Sequence, residues 1–136
     1  MTSAVAPVRT RPAAVVVVGA VLVAVVVNLA IYAIGRAAGA GFGFTAAGGS
    51  PSTVDAVTVA GFTAVPLLVG LTAAALLRRW SWAIPAALVV APVLAVATIF
   101  LMTIPADLDT ASTVTLACCH LALVPVSVLA LRALRN

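Results

Sequence analysis

From Ala13 to Ile34 the chain reads AAVVVVGAVLVAVVVNLAIYAI, 22 residues without one charged side chain. At about 1.5 Å per residue, a helix of that length covers about 33 Å, enough to cross the hydrocarbon core of a bilayer. Three further stretches, 56–77, 82–104 and 111–131, are each 21 to 23 residues long and equally free of Asp, Glu, Lys and Arg. Inside a bilayer every backbone N–H must be paired within the protein, which a helix achieves and an open strand does not. A membrane β-barrel would show segments of about ten residues with alternating polarity, and none occur. The expectation is an all-α integral membrane four-helix bundle with spans near 13–34, 56–77, 82–104 and 111–131. It forms one domain over residues 1–136.

Composition excludes the rival classes. Residues of the AVILMFWYC set make up 65% of the chain and charged residues 7%, where about a quarter charged is ordinary for a soluble domain. Ten charged side chains cannot cover a soluble fold of this size. A soluble enzyme, a disordered chain and a nucleic-acid binder are therefore ruled out. Arg without any Lys, beside abundant Ala and Val, suggests a GC-rich bacterial genome.

The net charge of +4 is a signal of topology, because all ten charged residues fall outside the spans. Arg9 and Arg11 precede the first span, Arg78 and Arg79 join the second to the third, and Arg132 and Arg135 follow the fourth. The other side holds Arg36 alone, with Asp55, Asp107 and Asp109. The positive-inside rule then puts both termini in the cytoplasm. Residues 1–11 become a cytoplasmic tail and 35–55 an extracytoplasmic Gly-rich loop. The expected location is the bacterial cytoplasmic membrane, crossed several times. The first apolar run far exceeds the 7–15 residues of a signal-peptide core, so it is expected to be a retained span.

Within the spans, Pro85 fits a first helical turn, whereas Pro66, Pro92 and Pro125 should kink their helices. The short links 78–81 and 105–110 predict antiparallel hairpins of neighbouring helices. Two readings stand for the long loop, in which Phe42 and Phe44 alternate with glycines. It is either a flexible connection whose two rings rest on the membrane surface, or a lid over an outward-facing pocket. Asp109, just before Thr110 and Ser112, suits a helix N-terminus.

Polar groups inside the spans are few, so each matters. His120 is the only His and lies near mid-membrane; Thr113, His120 and Ser127 share a face at a spacing of seven. Asn28 and Tyr32 are four residues apart and share a face of the first helix. One reading makes Asn28, Tyr32, His120 and Thr113 a small ligand-binding pocket that opens outward. The other makes them interhelical glue, with Asn28 or Tyr32 bonded to His120, worth about 0.6 kcal/mol per bond on average.

The standard chemistries find little support. Cys118, Cys119 and His120 are consecutive, so on a helix they point in directions about 100° apart and cannot share one ion. No CxxC pair, no intramembrane carboxylate and no Ser/His/Asp set is present. Hence no enzyme, no metal site and no cofactor are expected.

The stretches VVNLAIYAIGRAAG (26–39), FTAVPLLVG (62–70) followed by LLRRW (76–80), and LACCHLALVPV (116–126) together resemble DUF6069, a family of small actinobacterial four-helix membrane proteins of unknown function. In that family the last helix tends to carry a His followed by a Pro, which His120 and Pro125 would match. Relatives often have Met where this chain has Cys119. The resemblance covers most of the chain and implies the fold, without an activity. The first expectation for function is an accessory or structural subunit, or a homo-oligomer. The alternative is a small-ligand or lipid binder or transporter built around His120 and Asn28. The bilayer, another membrane protein or a second copy are the expected partners, and nucleic acid is not.

Overall fold

A computed structural model of the chain describes residues 12–46 and 48–135. Four long helices account for most of it: α1 (Ala13–Ala37), α2 (Ala56–Leu77), α3 (Ala83–Thr98) and α4 (Thr110–Arg135). A π turn, Ile99–Thr103, extends α3, so the third apolar span runs Ala83–Thr103. All four spans are long and apolar enough to cross a membrane. The expected spans thus correspond to helices, with α1 running on past Arg36 and α4 on to Arg135. The tail expected over residues 1–11, with Arg9 and Arg11, lies outside the described residues.

Local chemistry sets the boundaries. Pro12 caps α1, where its missing N–H costs nothing. Asp55 caps α2, its Oδ1 accepting from the Thr58 N–H at 2.7 Å and the Thr58 hydroxyl at 2.6 Å. Pro85 falls in the first turn of α3, while Pro66, Pro92 and Pro125 lie inside continuous helices. Neighbouring helices and local adjustments of the ladder make such prolines tolerable in apolar spans.

Around the bundle the order is α2, α1, α4, α3: α1 packs on both α2 and α4, and α3 packs mainly on α4. The short link predicts an antiparallel α2–α3 hairpin of neighbouring helices, and these two helices touch only thinly. The apolar core sits at one end and takes residues from every helix: Val17, Leu71, Ala74, Ile84, Ala130, Leu131 and Leu134. The turn with Arg78 and Arg79 lies at that end, beside the start of α1 and the end of α4.

The opposite end corrects the picture of a structureless loop. Strands β1 (Gly43–Thr45) and β2 (Pro51–Thr53) form an antiparallel hairpin, with Phe44 opposite Ser52. Phe42 does not rest on a membrane surface: it is 0% exposed. Its ring lies 4.6 Å from that of Tyr32. Its backbone is left-handed, with φ of 57°, which costs a bulky residue about 1–2 kcal/mol. Three contacts hold it there. The Phe42 N–H donates to Ser112 Oγ at 2.8 Å, the Val54 N–H donates to the Phe42 carbonyl at 2.9 Å, and the ring packs on Tyr32.

Candidate functional site

The four polar residues singled out from the sequence go to three different places. Tyr32 belongs to the hairpin end, where its hydroxyl donates to the Val54 carbonyl at 3.2 Å. Thr113 is nearby, its hydroxyl donating to the Asp109 carbonyl at 3.1 Å in the first turn of α4. Asn28 is buried at the junction of α1, α2 and α4. Its Nδ2 donates to Thr63 Oγ1 at 2.8 Å, and its backbone carbonyl lies 3.8 Å from Cys119 Sγ. Among the described residues, Asn28 Oδ1 is the buried side-chain polar atom left without a partner. His120 turns the other way, toward α3, with Nδ1 3.0 Å from Thr98 Oγ1. Neither Asn28 nor Tyr32 is bonded to His120.

The hairpin end is held by a carboxylate. Asp109 Oδ1 accepts from the Ser112 N–H at 2.9 Å, and Oδ2 accepts from the Ser112 hydroxyl and from the Gly41 N–H at 3.1 Å. Because the Ser112 hydroxyl donates to Asp109, its oxygen is free to accept from Phe42. This chain ties the start of the hairpin to the N-terminus of α4. The Ser112 hydroxyl, then the Ser112 N–H, hold the Asp109 carboxyl below its ordinary value of 3.8. Asp55 is lowered in the same way, by the Thr58 hydroxyl and then the Thr58 N–H.

His120 lies on a different feature. Where α2 and α3 separate, they leave a groove of about 360 Å³ floored by α4. Its walls include Phe62, Leu67 and Leu71 on one side and Val90 and Leu94 on the other, with His120 and Ser127 on the floor. Thr98 joins the lining from α3. The groove is therefore mostly apolar, with Thr63, Thr98, His120 and Ser127 as its few polar groups, the composition common to small-molecule sites. The Thr98 hydroxyl donates to the Ala95 carbonyl at 2.8 Å. A hydroxyl has a single proton: with it on the Ala95 carbonyl, the Thr98 oxygen offers lone pairs toward His120, and the tautomer that donates from Nδ1 completes the chain. In a neutral imidazole this leaves Nε2 as an acceptor.

Sequence reasoning did not single out Thr98 or Thr63. Each is a hydroxyl within an apolar span, and an intramembrane polar group needs a partner. Pairing each His or Asn with every Thr at similar depth would have put both on the candidate roll. Among the described residues no group of three or more His, Cys, Asp or Glu comes together. Cys118 is exposed and Cys119 buried, so the CCH run diverges as the helical geometry requires.

No curated protein and no solved structure matches the chain significantly. Residues 8–136 match the profile of DUF6069, a family of unknown function, and the chain belongs to that family.

Proposed function

We propose that this chain is a non-catalytic, multi-pass protein of the bacterial cytoplasmic membrane that holds a lipid-soluble, hydroxyl-bearing molecule in the α2–α3 groove. The observation that carries this reading is the chain from the Ala95 carbonyl through Thr98 to His120, which orients an imidazole in an apolar groove. An Nε2 acceptor in such surroundings has no water to bond, so a donor brought by the ligand gains the difference. The binding residues are His120, Thr98 and Ser127; Asn28, Tyr32 and Thr113 serve the bundle instead. Both termini lie in the cytoplasm, a reading supported by Arg78, Arg79, Arg132 and Arg135 at one end and Asp55, Asp107 and Asp109 at the other.

A second reading, an accessory subunit or homo-oligomer, is favoured by the exposure of α3. Val89 (64% exposed), Val93 (58%) and Leu94 (58%) would suit another transmembrane helix packed along α3, with Leu94 at the groove.

The test uses the full chain in lipid nanodiscs and two photoreactive probes, a diazirine-bearing hexadecanol and its methyl ether. The proposal expects the alcohol to label groove residues such as Val90 and Leu94 several-fold more than the ether. His120→Ala and Thr98→Val should each abolish that preference. Equal labelling by the two probes contradicts the ligand reading. A cross-linked dimer through Leu94→Cys, with no preference between probes, would establish the second reading in its place.

A further inference from the structure

A second cavity, of about 630 Å³, lies at the arginine end and is separate from the His120 groove. Its wall is formed by Pro12 at the start of α1, the α2–α3 turn and the last turn of α4. Three guanidinium-bearing residues line it: Arg78, Arg79 and Arg135, together with Trp80 and Ser81. The Arg79 guanidinium carbon sits 5.1 Å from the centre of the Trp80 ring, and that ring stacks on Trp82 at 6.0 Å. Stacking of this kind fixes a guanidinium without using its hydrogen-bond donors.

No acidic side chain of the protein can neutralise these arginines. The chain has three, Asp55, Asp107 and Asp109, and all belong to the hairpin end, before α2 and before α4. The turn also has a fixed depth. It joins two membrane-spanning helices through a handful of residues, so its arginines lie where hydrocarbon gives way to headgroups. Trp80 and Trp82 are amphipathic rings that favour this same layer. An anion that fits here is one that occurs at this depth, carries phosphate oxygens for Arg forks, and brings apolar chains that run down along the helices.

We infer that this cavity binds the phosphate headgroup of an anionic phospholipid, with Arg78, Arg79 and Arg135 as its ligands. A general attraction of basic residues for an anionic surface predicts something different: every arginine near the surface would count equally. Arg132 decides between the two. It occupies the last turn of α4, as Arg135 does, but it does not line the cavity.

The chain's two Trp residues are both in this turn, so they report on it directly. The experiment reconstitutes the full chain in vesicles of dibrominated phosphatidylglycerol mixed with ordinary phosphatidylcholine, and in the converse mixture. It compares tryptophan quenching at equal mole fraction. The expected result is a several-fold preference for phosphatidylglycerol. Arg135→Gln and Arg78→Gln should each weaken it by about fivefold, the loss of about one net hydrogen bond to the phosphate. Arg132→Gln should change it less than twofold. Equal losses in Arg132→Gln and Arg135→Gln would overturn the inference, as would absence of any preference in the native chain. Reversal of the quenching by millimolar inorganic phosphate would assign the cavity to a soluble anion and overturn its assignment to lipid.

Discussion

The α1–α4 seam and the α2–α3 seam are made from the same apolar residues, yet one is closed and the other open. Along α1–α4, Gly35 lies so close to the Thr115 side chain that a Cβ would overlap it. Further along the same seam, Cys119 reaches the Asn28 carbonyl, and the end is fastened by Asp109, Ser112 and Phe42. Along α2–α3 no hydrogen bond crosses between the described residues, and a groove of about 360 Å³ remains. Lipid tails are as apolar as Val or Leu, so burial alone does not draw two transmembrane helices together. Small residues that allow close approach, and polar groups that need each other, decide which seams shut. At the α2–α3 seam Gly70 faces open space, and the polar groups Thr63 and Thr98 bond to α1 and α4.

The contrast can be broken from either side. The largest effect is expected from Phe42→Ala, which empties a fully buried site and should cost about 3 kcal/mol. Equilibrium unfolding in mixed micelles would measure it, with release of the hairpin seen as new proteolysis between 40 and 54. Gly35→Ala should cost about 2 kcal/mol by forcing α1 off Thr115. Adding Thr115→Ala should restore most of the loss, because the Thr115 hydroxyl bonds only within its own helix, to the Ala111 carbonyl at 2.7 Å. Failure of that rescue would mean the seam is not set by the close approach.

Acid should act on the hairpin end alone. Both Asp109 and Asp55 have carboxyls held below 3.8 by bonds to their ionised form. Those bonds are complete above the ordinary aspartate range and disappear as pH falls through the lowered values. Amide-exchange protection of Gly41 and Phe42 should therefore stay constant from neutral pH to about 5 and fall only below the ordinary aspartate value of 3.8. Asp109→Asn should remove most of the step. The smallest effect belongs to the open seam. Val90→Ala should change stability by less than about 0.5 kcal/mol, because bilayer chains fill the space of the lost methyl groups.

The four helices were readable because exclusion of charge is a one-dimensional property, visible as four uncharged runs between Arg and Asp. The ends were less so: α1 passes Arg36 and α4 reaches Arg135 because a long Arg side chain can extend to the headgroups while its backbone stays helical. The π turn at Ile99–Thr103 leaves no mark in residue type. The polar site was readable as a set of residues and not as a set of pairs. Periodicity places His120 on a face, but the neighbour that face meets depends on helix order around the bundle. Asn28 consequently meets Thr63, and His120 meets Thr98. Phe42 was misplaced because a Gly-Phe-Gly-Phe run looks mobile, and only the tertiary partners Tyr32 and Ser112 reveal its burial.

The central claim is that His120 belongs to the open seam, oriented by Thr98 and independent of Asn28. Because His120 is the only histidine, its ring nitrogens can be observed without overlap by nitrogen-15 NMR of the histidine-labelled chain in nanodiscs. The account predicts a neutral ring with the proton on Nδ1, unchanged in Asn28→Ala and altered in Thr98→Val. A proton on Nε2, or a spectrum that responds to Asn28→Ala and not to Thr98→Val, would contradict it.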